Sequence, residues 1–316
     1  MKGGRTKDVK REKTGMTEKR GRTALFKKVN ARVLDVLHSL CFIGPSFFGV
    51  LLFFILPFGV VMYYSLIRSP INPDFVFLDN FKSILTNSAF RTAARNTVSF
   101  SALAVPLAVV LALLLALMLE VHIPLKSQFR TFFLSPMMVP VASIVLIWQV
   151  LFHYNGAINE VLLLFGADKI DWFKSEYAQL TVILLFLWKN LGYNMILFMA
   201  ALANIPRELL EVADVEGASR AYKFFAIKLR YLSPTVLFVT ILSLINSFKV
   251  FREVYLLTGD YPVQSLYMLQ HFMNNTFKSL DYQKLSAAAV IMAAVMVIII
   301  ALLFLIEDKF GKDVEG

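Results

Sequence analysis

Six apolar runs, each long enough to cross a lipid bilayer, decide what this chain can fold into. They fall at about 43–66, 97–119, 131–152, 180–203, 235–257 and 285–306. A helix needs roughly 20 mainly apolar residues to span the hydrocarbon core. A soluble core absorbs some apolar excess, but not uninterrupted runs of this length. Composition agrees: 58% of the 316 residues are apolar and 17% charged, against about half and a quarter in soluble domains. The expected fold is an all-α membrane protein with six transmembrane helices. Pro57, Pro106 and Pro140 fall inside the runs, which lipid-buried helices tolerate when neighbours satisfy the freed carbonyls.

A net charge of +10 would suit nucleic acid, but its distribution points to a membrane. Twelve of the 32 Lys and Arg residues lie in the first 40 positions, and most others flank the apolar runs. With both termini cytoplasmic, the inner segments 1–42, 120–130, 204–234 and 307–316 hold 21 Lys and Arg, against eight in the outer segments 67–96, 153–179 and 258–284. That is the positive-inside bias, and the N-terminal tail supplies much of it. Residues 1–23 have almost no aliphatic side chains and read as a disordered, basic cytoplasmic tail. Residues 24–42 carry Leu25, Phe26, Val29, Val33, Val36, Leu37 and Leu40 at helical spacing, with Lys27, Lys28 and Arg32 between them. This pattern predicts an amphipathic interfacial helix on the inner membrane surface, before the chain turns in at Gly44-Pro45. The membrane domain then covers 43–306, and 307–316 form a short cytoplasmic tail. No short apolar region with a small-residue cleavage site follows the basic N-terminus, so no signal peptide is expected.

Several chemistries find no residues to carry them. Cys41 is the single cysteine and the four histidines are scattered, so no internal disulfide or metal cluster is expected. There is no GxxxxGK[ST] loop to cradle a nucleotide. An intramembrane enzyme would need paired acids, a Ser-Lys dyad or a metal cluster within the spans, and none is convincing. A secondary transporter working alone predicts buried acids near mid-membrane, where the runs hold almost none except Glu253. No outer loop exceeds about 30 residues, so any solute capture outside falls to a separate protein.

The inner loop 204–234, between the fourth and fifth runs, is unlike the others. Pro206 and Arg207 open a predicted helix, with Glu208, Glu211 and Asp214 in its sequence. Gly217 breaks it, and Ala218-Ser219 starts a second short helix with Ala221, Phe224, Phe225 and Leu229 on an apolar face. Glu211-Val-Ala213, then Val215-Glu216-Gly217-Ala218, Phe224, Ile227, Leu229 and Pro234 resemble the cytoplasmic EAA loop of ABC importer permeases. That family's pattern is roughly E-A-A-x-x-D-G-A, then F-x-x-I-x-L-P and a second proline. Val212, Glu216 and Arg230 depart from it, and Arg230 replaces a proline that would fix the helix end. Phe77-Leu-Asp-Asn-Phe81, Asn96-Thr97, Trp148, Gly156, Asn159, Trp172, Phe251-Arg-Glu-Val-Tyr255 and Leu257-Thr-Gly-Asp-Tyr-Pro262 resemble the carbohydrate-uptake branch, of the maltose and glycerol-phosphate type.

The resemblance implies a non-catalytic permease subunit, multi-pass in a bacterial-type cell membrane. Its partners would be a second, different permease subunit, two ATP-binding subunits that hold ATP and Mg, and an external solute-binding protein. The loop would form paired coupling helices on the ATP-binding subunit, with Glu211, Ala213, Asp214, Glu216, Gly217, Ala218, Phe224 and Pro234 at the contact. The solute would be a sugar, with a glycerol phosphate or polyol as the alternative. Within the runs, Asn246, Lys249 and Glu253 lie at i, i+3 and i+7, flanked by Ser243 and Arg252, while Lys189 and Asn190 precede Tyr193 and Asn194 by one turn. Charges at mid-membrane cost roughly 2.5–3.5 kcal/mol each on insertion scales and so tend to face a cavity or a partner. These two stripes are candidates for the solute path. Pairing among themselves, snorkelling and bonding to the partner permease are the competing readings. Trp148, Trp172 and Trp188 read as packing or interface anchors.

Overall fold

The computed structural model describes residues 41–120 and 125–311, with the side chains of the last two left aside. The predicted tail 1–23, nearly all of the predicted surface helix 24–42, and residues 312–316 lie outside them. Described residues are helical apart from turns and one isolated bridge, Ile67 with Phe75. The chain divides into two compact units, Met1–Tyr63 and Tyr64–Gly316.

The first unit is represented by a single helix, α1, Cys41–Leu66, which runs on past the unit boundary. It passes straight through Gly44-Pro45, where a turn was predicted. Pro57 has no N–H to donate, and the turn before it widens: Leu51–Ile55 is a π-turn in which Leu56 N–H reaches Leu51 O. Such one-turn bulges are a common way for a helix to absorb a local defect.

In the second unit follow α2 (Asp79–Thr86), α3 (Ser88–Glu120), α4 (Lys126–Met138), α5 (Val141–Leu151) and α6 (Ala157–Leu164). Then come α7 (Ala178–Ala203), α8 (Arg207–Val215), α9 (Arg220–Thr258), α10 (Leu269–Lys278) and α11 (Tyr282–Gly311). Together with α1, the helices α3, α7, α9 and α11 are long and apolar enough to cross a membrane. The predicted third run is not one helix. α4 and α5 meet at 103°, so the pair is a broken span or a re-entrant segment, and the count is five or six. Val139 is extended (φ −87°, ψ 132°) because the ring of Pro140 excludes a helical residue before it. Pro140 therefore caps α5 rather than sitting inside a helix.

α7 is the hub, packed by α3, α4 and α9. Ala104, Ala108, Ala112 and Ala116 recur every fourth residue on α3, and all are fully buried. Small side chains let backbones approach closely, which supplies contact area where water supplies no driving force. Phe100 and Phe186 fill the space at one end of this seam with centroids 5.7 Å apart. Farther along, Met195 and Phe198 pack near Ala112 and Ala116. α4 approaches α7 most closely at Gly192. A Cβ there would lie 1.9 Å from Phe133 O, a backbone atom that no rotamer change can move.

Gly192→Ala should therefore force α4 off α7 and destabilise the protein by about 3 kcal/mol or more, the upper range for overpacking. Gly59→Ala, which adds a methyl to open space, should be near neutral. Melting curves of the two purified variants in detergent check this; equal curves would contradict the close crossing.

Candidate functional site

Two features of the second unit are built for work, and one helix carries both. The first is the loop between α7 and α9. Pro206 caps α8, whose first turn is free to start because proline has no N–H to leave unpaired. Gly217 ends it at φ +78°, a left-handed conformation that favours glycine. Ala218 N–H closes the turn on Ala213 O at 2.8 Å. Ser219 then caps α9, its Oγ accepting from Tyr222 N–H at 3.2 Å. The second short helix expected here has no end of its own. α9 continues from Arg220 past Arg230 and Pro234 to Thr258, with a π-turn at Lys223–Lys228 and a break at Val250.

Two ion pairs fix this loop. Lys223 donates to Asp214 across the glycine turn. Lys228 donates to both carboxylate oxygens of Glu120 at the end of α3, at 2.7 and 2.6 Å. Of the predicted contact residues, Ala213 is buried inside the turn, Phe224 and Ala218 are half-buried, and Glu211, Asp214, Glu216 and Gly217 are exposed. Pro234 lies about four helical turns along α9, away from the glycine turn itself. The expected contact set left out the exposed apolar side chains of these two helices, although Phe225 was read on an apolar face: Val215 is 90% exposed, and Val212, Tyr222 and Phe225 are also exposed. Their helical spacing was visible, but nothing in a sequence says which face of a short helix stays uncovered.

The second feature is a cavity of about 340 Å³ between α7 and α9, closed on one side by Met137 near the α4–α5 break. Six of the eight predicted path residues line it: Lys189, Asn190, Tyr193, Asn246, Lys249 and Glu253. Lys189 donates to Glu253, whose other oxygen is buried without a partner among the described residues. Asn190 donates to Phe186 O at 2.7 Å and accepts from Asn246 at 3.0 Å. The remaining two, Asn194 and Ser243, do not reach the cavity. They are buried and bond to each other at 2.9 Å, a rung between α7 and α9. A further rung joins Ser101 on α3 to Ser247 at 2.8 Å, and no sequence pattern singled it out. In a membrane such internal pairs replace the water that polar groups would otherwise need.

Residues 104–315 match the family described as the binding-protein-dependent transport system inner membrane component. The chain belongs to this family. It is 31% identical over 285 residues to the probable ABC transporter permease protein YesP of Bacillus subtilis, covering 87% of this chain and 90% of that one. It is 30% identical over 275 residues to the trehalose/maltose transport system permease protein of Thermococcus litoralis, covering 85% and 92%. In fold it resembles a chain of a bacterial ABC transporter involved in the import of the acidic polysaccharide alginate. The TM-score is 0.75 at 20% identity, with 90% of this chain and 98% of that one covered. The chain is thus a multi-pass inner-membrane permease.

The other motif residues hold the permease's connecting segments. Asn159 is fully buried. It donates to Tyr154 O and Ile170 O at 2.9 and 2.8 Å, and accepts from Ile170 N–H and from Trp172 Nε1 at 3.0 Å. Gly156 lets the chain pass over α5, where a Cβ would meet Val150 O at 2.4 Å. Asn80 donates to Ser65 O and Ile67 O. Asn96 donates to Gln264 O and Tyr267 O, and Thr97 Oγ1 accepts from Leu269 N–H. The segment before α11 has its own polar cluster. Asp260 accepts from Lys278 at 2.5 Å, which holds its carboxyl below the usual value and lifts that of the lysine. His271, fully buried against Phe251, has its pKa pushed down to about 4 by burial, against a weaker pull from Asp260.

His271 therefore stays neutral when folded but takes a proton near pH 6.5 when unfolded. Stability is fully present above 6.5 and declines as pH falls from there toward about 4. Melting temperatures of the permease should drop between pH 7 and 5, and His271→Phe should flatten that slope. An identical slope in the variant would exclude His271 as its source.

Proposed function

We propose that this permease forms half of the translocation pathway of an ATP-driven importer, and that it carries a sugar or related solute. The observation that carries this reading is the continuity of α9. One helix runs from the Gly217 turn to the cavity residues Lys249 and Glu253. Movement at the inner loop is therefore movement at the cavity, without a joint of loop residues between.

On this reading the N- and C-termini are cytoplasmic, and α8 with the start of α9 are the coupling helices. They dock in a separate ATP-binding subunit, which holds ATP and Mg and performs the hydrolysis; the permease itself catalyses nothing. Glu211 and Glu216 provide charge at that contact, while Val212, Val215, Tyr222 and Phe225 provide apolar area, the combination expected at a binding hot spot with a polar rim. Asp214 acts indirectly, by locking the two helices through Lys223. A second, different permease subunit completes the pathway, two ATP-binding subunits sit beneath, and an external binding protein delivers the solute to a bacterial-type cell membrane. Closure of the ATP-binding pair then swings the cavity between inward and outward access. Asn190, Tyr193 and Asn246 suit a hydroxylated solute, since amides and phenols both donate and accept.

Glu211→Lys should abolish solute uptake while leaving membrane insertion intact, because truncating a partly buried charged contact costs about 2–5 kcal/mol and reversal adds repulsion. Normal uptake by that variant would reject the coupling role. Asp214→Lys should lower ATPase coupling at least tenfold, and Asp214→Lys with Lys223→Asp should recover most of it. Failure of the double exchange to recover would leave the ion pair without a role in the loop.

A further inference from the structure

The cavity between α7 and α9 does not balance its charges. Lys189, Lys249, Arg252 and Glu253 all line it. Glu253 is engaged by Lys189. Lys249 and Arg252 make no ion pair among the described residues and are exposed toward open space. They stand three residues apart on α9, on either side of the break at Val250, a spacing that puts side chains on one helix face. Beside them the second oxygen of Glu253 is buried without a donor, and Phe186, Leu185 and Leu242 supply the apolar wall.

The permease's kinship does not decide the charge of its solute. One relative is named for trehalose and maltose, and the solved transporter imports an acidic polysaccharide. The lining does decide it. A neutral sugar would offer hydroxyls to Glu253 and Tyr193 but leave the two cations on the cavity lining without a counter-ion among the described residues. An uncompensated charge there is expensive and is kept where it has a counter-ion to meet. Arginine matches the two oxygens of a carboxylate or phosphate with parallel N–H donors, and lysine adds a compact point charge.

We infer that the solute is anionic: a hydroxylated body bearing a carboxylate or a phosphate ester, whose acidic group is held by Lys249 and Arg252 while a hydroxyl donates to Glu253. This rests on the cavity being the solute path, as proposed above. The volume, about 340 Å³, is at the small end for ligand sites, so one sugar unit at a time would occupy it.

The test uses the complete importer, with partner permease, ATP-binding subunits and binding protein, in proteoliposomes. These are offered one mixture: malto-, arabino-, galacturono- and mannurono-oligosaccharides of two to four units, with glycerol 3-phosphate. Expected is ATP-dependent accumulation of uronate or phosphate members at least tenfold above the neutral ones, the favoured arm telling carboxylate from phosphate. Accumulation of neutral members alone overturns this inference and leaves the importer standing. No ATP-dependent accumulation of any member overturns both. With the accumulated anion as probe, Lys249→Gln with Arg252→Gln should raise KM for it at least tenfold, while the charge-conserving Lys249→Arg should keep KM close to wild type. An unchanged KM with the double variant overturns the assignment of these two residues.

Discussion

The ion pair between Lys189 and Glu253 is the constraint on which the rest of the permease turns. Glu253 is 2% exposed, and a carboxylate so placed is tolerable only with a cation beside it. That cation comes from α7, the helix packed by α3, α4 and α9. The pair therefore ties the far half of α9 to the most enclosed element of the fold. Below it, the amide contact of Asn190 with Asn246 and the Asn194–Ser243 bond repeat the tie at successive turns. Each rung removes a polar group from the list of things lipid would have to accommodate. The same rungs fix the rotation of α9, and with it which side chains face the cavity.

Against that fixed upper half, the lower end of α9 is held differently. Lys223 and Lys228 make partly exposed pairs with Asp214 and Glu120, and pairs open to solvent contribute little, commonly under about 1 kcal/mol. The Gly217 end of the helix can therefore move at small cost, and the continuous helix carries that movement on toward the cavity. A helix rises about 1.5 Å per residue, so the loop and cavity lie on the order of 50 Å apart along it. The π-turn at Lys223–Lys228 and the break at Val250 are the two places where the hydrogen-bond ladder is already interrupted, and so where bending costs least. Both flank the stretch that packs on α3 and α7.

Most of this plan was legible in the sequence because lipid imposes one rule that composition reveals directly. The long helices fell where the apolar runs are, and the stripe at Asn246, Lys249 and Glu253 reached a common cavity because helical spacing is fixed geometry. The breaks were less legible. Pro106 lies inside α3 and Pro140 caps the start of α5, yet the two look alike in a string of apolar letters. What separates them is whether a neighbour needs the turn: at Pro140 the chain bends 103° and brings Met137 to the cavity wall. The fate of the second loop helix was hidden for the same reason, since only packing decides whether a π-turn becomes a stop or a passage. Asn194 and Ser243 show the limit from the other side, because a polar stripe marks a face without saying how deep each member lies.

The small residues of α3 complete the physical account, because they explain why the polar rungs can be short. Ala104, Ala108, Ala112 and Ala116 are fully buried on α3, which packs on α7, and at Gly192 the backbone of α4 comes close at Phe133. With α7 gripped on two sides by backbone-close contacts, its polar face has one direction left, toward α9. Serine and asparagine then suffice to bridge the gap, whereas a looser bundle would need longer, more mobile side chains. Tight apolar packing on two faces is thus what allows the third face to be polar, and a polar third face is what a membrane helix needs to shape a path for a hydrophilic solute.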